Sequence, residues 1–400
     1  MRVREEIEVL ETLDEVEREE WAPLARGRSV YATWEWYRSL EREDAFEPRY
    51  LVARSSSGRL TGALPAYTTT GGGNPRYYPD VVFDGLWPEP LAGASAWVPG
   101  VSGGSRAAYL TELLVAPDAD ARSVASDLLA ALHALAKDRQ AKAAWIFYVP
   151  PADVQLLAEV APPETLVAYG VIDMELPIRW SSFEDYLGSL SARRRSAVRR
   201  ELRAFEESGA TIATHRLDEV VTAVAPLMAA TQTRHGRPTT AAEAEDLLAY
   251  QARFLGPWSR VFVCTRGGRT IGFSLFYELE RRLYARLVGF DYERLGGSEY
   301  FNVLFYAPLV DAIDRGVERI HLGIESYEAK LGRGAEPRPL WCFVRHLSHD
   351  LRPLRARARD WSADRLEEFE RRYLRFLDDD ARRRWAAARA VPSSGEQREG

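Results

Sequence analysis

One order of elements occurs twice in this chain, and it restricts the fold more than any single residue does. RYLVARSSSGRLTGALPAYTTT (49–70) and RVFVCTRGGRTIGFSLFYELERRLYARLVGF (260–290) each hold a short apolar run, a Gly/Ser turn and a second apolar run containing a glycine. That is the pattern of a β-hairpin, and SSSG and RGGR supply turn residues that tolerate positive φ. An amphipathic stretch and one more strand follow each hairpin. In the first half these are ARSVASDLLAALHALAKDR (121–139), with Leu128, Leu132 and Leu135 on one face, and AAWIFYV (143–149). In the second half they are EYFNVLFYAPLVDAIDRG (299–316), which closes on a glycine, and VERIHLGI (317–324). Hairpin, helix and strand, twice over, predict an α/β (α+β) fold of two tandem units, each a mixed, mostly antiparallel sheet flanked by helices.

The expected bounds are an N-terminal unit over 1–170 and a second unit over 171–355. A charge-laced helix follows over 356–390, then a polar tail of disordered composition, 391–400. Residues 71–104, rich in Gly, Pro and aromatics, read either as a functional loop or as a packed surface insertion. Residues 162–180 read as the link between the halves.

Composition narrows the function classes. A hydrophobic share of 46% gives 400 residues real cores. The net charge of −6 excludes a surface that as a whole attracts nucleic acid or anionic membrane, so DNA is not an expected partner. The two cysteines, Cys264 and Cys342, match neither a disulfide framework nor a metal spacing. They point to a reducing compartment and to no metal. No stretch reaches the length and apolarity of a bilayer span, and the acidic start lacks a signal peptide's apolar segment. A cytoplasmic protein is expected.

The basic residues are distributed unevenly. Only Lys137, Lys142 and Lys330 are lysine among 53 Lys+Arg, and Lys330 stands in GIESYEAKLGRGAEPRPLW (323–341), between glycines. Lysine is a compact, movable point charge, whereas arginine is a planar fork. Upstream, in SSFEDYLGSLSARRRSAVRRELRAFEE, Ser182 and Asp185 form a loose capping box. Six arginines then fall between residues 193 and 203. Helical spacing groups Arg193, Arg200 and Arg203, with Arg195 and Arg199 nearby. The run reads either as a solvated helix laced with Glu201, Glu206 and Glu207 or as a patch whose forks grip phosphate oxygens.

From about Ser181 to Trp341 the chain resembles the FemAB-like branch of the GNAT acyltransferase superfamily. Two motifs carry the resemblance: the arginine-rich helix, and the helix–strand–loop order ending in K-x-x-R-G at Lys330, Arg333 and Gly334. Members carry two GNAT-like units in one chain. The resemblance implies an acyltransferase that forms an amide with no bound cofactor. The acyl group is an aminoacyl group from charged tRNA in Fem-type members, or comes from acyl-CoA in more typical relatives. The acceptor is a small-molecule or lipid-linked amine, of a cell-wall precursor or of secondary metabolism. A non-catalytic binding protein on the same fold is the third reading. The resemblance also places Lys330 near the reacting ester and the tRNA acceptor end.

Acyl-CoA users of this fold hold the pyrophosphate on a [Q/R]-x-x-G-x-[G/A] turn at a helix start. Here Asp120 stands where the cation belongs and Ser123 where the first glycine belongs; only Ala125 fits. In the second half Arg294, Gly296 and Gly297 lie at a helix start, away from the usual spacing.

Transfer from an ester or thioester to an amine passes through a tetrahedral oxyanion, which needs fixed donors. The backbone of Val288, Gly289 and Phe290 is expected to supply them, with Gly289 allowing a bulge or a close approach. Lys330 is the expected stabiliser of developing charge, and Glu325 and Glu328 the acceptors of the amine proton. His321 is a further candidate that reads as structural, since it lies within a strand. Arg333, Gly334, Arg193, Arg199 and Arg200 are expected to meet the donor's phosphate. Tyr327 and Tyr306 are expected at the acceptor pocket, with core packing as the alternative.

Overall fold

The structure, a computed structural model, describes residues 6–42 and 46–389; the tail expected over 391–400 lies outside the described residues. The chain forms two compact units, one of residues 1–173 with 337–400 and one of residues 174–336.

In the first unit the strands are β1 (Glu6–Leu10), β2 (Glu47–Arg54), β3 (Leu60–Thr69), β4 (Gly100–Gly103), β5 (Leu114–Val115), β6 (Ala143–Val149) and β7 (Leu166–Pro177). The expected hairpin is β2–β3, antiparallel from Glu47↔Thr68 to Arg54↔Leu60. Helix Ala121–Asp138 connects β4 to β6, which pair in parallel from Gly100↔Ala143 to Gly103↔Ile146. Parallel neighbours require such a crossover. The helix buries Val124, Leu128, Leu132 and Leu135 against Leu51, Leu64 and Ile146, and each such leucine contributes about 1.5–3 kcal/mol.

The second unit carries β8 (Thr211–His215), β9 (Ser259–Arg266), β10 (Arg269–Leu279), β11 (Arg282–Phe290) and β12 (Arg319–Ile324), side by side in the order β12-β11-β10-β9-β8. The hairpin β9–β10 turns on Gly267 and Gly268, at φ 56° and 75°. Here too a helical crossover, Glu299–Asp314, joins a parallel pair, β11 and β12. Gly316 ends it at φ 66°. Each unit is therefore a mixed, mostly antiparallel sheet flanked by helices.

Several expectations need correction. Residues 166–177 form strand β7 rather than a link: the run LVAYGVIDMELP is rich in β-branched and aromatic residues, which suit a half-buried pleat. A further strand of the first unit, β13 (Glu336–His346), pairs antiparallel with β6, Trp341↔Val149 through His346↔Ala143. Residues 71–104 agree with the second of their two readings, a packed insertion, with Phe83, Leu86 and Trp97 fully buried. The continuous helix expected over 356–390 is two, Arg355–Tyr373 and Asp379–Arg389; the Asp378 carboxylate accepts from Ala381 N and starts the second.

Candidate active site

Strand β11 makes the first element of the site, by losing its neighbour. Its ladder with β12 holds only from Arg282↔Arg319 to Tyr284↔His321, so residues 285–290 present an edge that β12 does not take up. On the other side β11 stays paired with β10, with a bulge between Leu275↔Leu287 and Phe276↔Ala285. The bulge sits there and not at Gly289. Gly289 serves the close approach, the other expected use of that glycine, since a Cβ there would lie 2.4 Å from Phe273 Cε1 and 2.7 Å from the Leu227 carbonyl carbon. Phe290 N–H donates to Thr231 Oγ1 at 3.1 Å. Successive residues of a strand alternate their edges, so Gly289 N–H faces β10 and Val288 N–H shares Phe290's edge.

The helix after β11 is the second element. Between Glu299–Phe301 and Ala307–Asp314 it widens into a π-helical turn, Asn302–Tyr306. In that register Val303 O would take its hydrogen bond from residue 308, which is a proline and has no N–H. Ser274 Oγ donates to Val303 O instead, at 2.6 Å. The wide turn sets the phase of Tyr306, and π-turns recur at functional sites.

Tyr306 joins a buried network. Arg333, 3% exposed, donates from Nε to Tyr306 Oη (3.0 Å), from Nη2 to Glu201 Oε2 (2.8 Å) and from Nη1 to Ala329 O (3.0 Å). Its guanidinium carbon lies 3.9 Å from the Phe301 ring centre. Tyr306 Oη donates to Glu201 Oε2, and Tyr186 Oη to Arg333 O. Burial pushes the Tyr306 and Tyr186 hydroxyls well above the usual phenol range, against the nearby Arg333 charge, so both stay protonated.

Lys330 is buried on the five-residue helix Tyr327–Leu331. Its ammonium donates to Gly323 O (2.9 Å) and Ile324 O (2.6 Å). Gly323, Glu325 and Ser326 all take positive φ, 68°, 65° and 49°, which folds the end of β12 back over the lysine. Such left-handed non-glycine pairs persist only where the surroundings hold them, and they cluster at functional sites. The movable point charge foreseen here is a clamp on two strand-end carbonyls.

The structure separates the remaining expected residues. Glu325 and Glu328 are exposed beside the clamp, and Tyr327 is half-buried. His321 is buried in β12, with its ring 5.8 Å from that of Tyr284. Gly334, at φ 92°, packs near Leu176 and Trp180. Arg193, Arg199 and Arg200 lie on the exposed side of helix Ala192–Glu207, and Arg199 pairs with Glu184 at 3.2 Å. Two residues were missed. Arg194 lies over the turn after Lys330, where a Cβ on Gly332 would come 2.4 Å from its Nη2. Glu201 anchors Arg333. The signal was present: buried Val198 and partly buried Phe205 mark the inward stripe of the helix, and Arg194 and Glu201 fall on it at i−4 and i+3.

The FemAB-like family, described as peptidoglycan biosynthesis/recognition, matches residues 12–372. Curated relatives in two strains of Mycobacterium tuberculosis, provisionally named 8-amino-7-oxononanoate synthase 2, are 28% identical over 243 residues, 58% of this chain. The chain spans only 31% of those relatives' length. Among solved structures, FemX superposes with a TM-score of 0.55 at 12% identity, covering 87% of this chain and 99% of that one. The C-terminal domain of a provisionally named lysylphosphatidylglycerol synthetase from Agrobacterium fabrum gives 0.50 at 14% identity, covering 84% and 95%.

Proposed function

The chain belongs to the FemAB-like family, and from that premise we propose that it is an acyltransferase, forming an amide by moving an aminoacyl group from charged tRNA to an amine. Cell-wall precursors and secondary metabolites are the acceptor classes that fit.

One observation carries the choice of donor. Helix Ala192–Glu207 exposes Arg193, Arg200 and Arg203 on one side, and none of the three has a carboxylate partner among the described residues. Many other arginines among the described residues pair with a nearby acid, as Arg54 does with Glu8 and Glu20 or Arg260 with Asp311. The first turn of the helix holds Arg193, Arg194 and Arg195 and no acid, so cations crowd the positive end of its dipole. A phosphate backbone relieves that repulsion, contributing affinity without sequence information. The overall charge of −6 confines such contact to this patch.

In the proposed reaction the acceptor nitrogen attacks the ester carbon. The C–N bond forms, the C–O bond to the ribose breaks, and the proton lost by the amine passes on to the leaving ribose oxygen. Val288 N–H, on the open edge of β11, faces the developing oxyanion. Lys330 acts through position: it holds the end of β12, and with it exposed Glu325 and Glu328, which take the amine proton. Arg333, Glu201 and Tyr306 hold the turn after Lys330 against the helix that carries the arginines.

The test is a paired donor assay with charged tRNA and, separately, acetyl-CoA. Amide formation from charged tRNA that falls on replacing Arg193, Arg200 and Arg203 by glutamate supports the reading; transfer from acetyl-CoA alone sinks it.

A further inference from the structure

We infer that Glu299 fixes the class of donor, because its carboxylate is the resident anion of the loop where an acyl-CoA enzyme of this fold would seat the pyrophosphate. The inference rests on the acyl-transfer reading and narrows its donor.

The loop between β11 and the crossover helix is YERLGGSEY (292–300). Its position corresponds to the turn whose N–H groups hold CoA phosphates in acyl-CoA users of the fold. Here Gly296 N and Gly297 N donate to Glu299 Oε2, at 3.0 and 2.7 Å. Glu299 Oε1 accepts from Arg266 Nη1 at 2.9 Å. The carboxylate is 1% exposed. Two amides and a guanidinium are the partners a phosphate would use, and the chain's own side chain has them.

The nest is also closed from outside. A Cβ on Gly297 would lie 2.5 Å from Ser208 Cβ and 2.8 Å from Ala204 O, so the end of helix Ala192–Glu207 rests directly on the loop. No depth remains there for a second phosphate. The other crossover helix is capped differently but also by a carboxylate: exposed Asp120 accepts through Oδ1 from Arg122 N and Ser123 N of the helix's own first turn. Both helix starts that a pyrophosphate could use hold a carboxylate of the protein, and an anion brought there meets like charge. A donor with its phosphates strung along a nucleic-acid backbone does not need this nest.

Binding of acetyl-CoA to the wild-type protein, measured by titration calorimetry to millimolar concentration, is expected to show no saturable heat. The Glu299→Ala protein vacates a carboxylate-sized anion site. Inorganic phosphate or formate is therefore expected to raise its Tm by a few degrees while leaving the wild type unmoved. Glu299→Gln, which keeps an acceptor oxygen in place, is expected not to respond. Saturable acetyl-CoA binding by the wild type overturns the inference, whether or not Glu299→Ala folds. So does a folded Glu299→Ala protein indifferent to both anions. Absence of transfer from charged tRNA, with acetyl-CoA still unbound, counts against the aminoacyl reading and leaves the closed nest standing.

Discussion

Arg333 Nη2 lies 2.8 Å from Glu201 Oε2, and the two residues join the turn after β12 to the arginine-rich helix 132 positions earlier in sequence. Arg333 is 3% exposed, so its charge depends on that carboxylate. Removing one partner of such a pair leaves the other charge uncompensated. Glu201→Ala is expected to lower the unfolding free energy by about 3 kcal/mol, read from the denaturant midpoint. Glu201→Ala with Arg333→Met should recover part of the loss; a double variant no better than the sum of the singles would show that the pair is not coupled.

Lys330→Met keeps the aliphatic stem and removes the ammonium from Gly323 O and Ile324 O. A cost of about 1–3 kcal/mol in stability is expected, the penalty for buried acceptors losing their donor. Activity should fall along with it, because the end of β12 shifts. A loss of kcat at unchanged stability would instead assign Lys330 a direct part in the chemistry.

Replacing Arg193, Arg200 and Arg203 by glutamate should leave folding within about 0.5 kcal/mol, as exposed sites do. Binding of charged tRNA at low salt should weaken at least roughly tenfold, with a shallower dependence of log Kd on log salt. Filter binding across a salt series reads both. An unchanged slope would remove these arginines from the interface.

His133 gives the pH prediction. Burial first, then the charges of Arg345 and Lys137, pull its pKa from 6.5 down to about 4. The unfolded chain therefore binds a proton that the folded one refuses, and stability rises with pH between those values. Acidifying from about 6.5 to 4 should remove up to about 3 kcal/mol; below that window both states carry the proton and the loss stops. Urea midpoints for His133→Gln should be flatter across the window. A profile identical to the wild type would show that other groups govern it.

The duplicated hairpin–helix–strand order was legible in the chain because it rests on local signals: apolar runs around Gly/Ser turns in the hairpins at 49–70 and 260–290, and 3.6-residue spacing in 121–138. The Ser182 cap was legible for the same reason, and Asp185 N–H does donate to Ser182 Oγ at 3.1 Å. Strands β7 and β13 were not read: β13 carries Pro337 and Pro339, which argue against a strand, and its partner, strand β6, lies almost 200 positions earlier in sequence.

The sequence by itself determined the elements, their order and the arginine stripe of helix Ala192–Glu207, since propensity and periodicity act over a few residues. It also placed a lone lysine beyond the last strand of the second repeat. Only the tertiary structure decided what the charges do: Lys330 clamps two carbonyls, Arg333 answers Glu201, and Glu299 fills its own loop. Those outcomes depend on burial and on how the backbone folds around each charge, whether the partner is near in sequence, as Gly323 and Ile324 are to Lys330, or distant, as Glu201 is from Arg333. In a low-dielectric interior, a charge takes whichever partner the packing brings within hydrogen-bond reach.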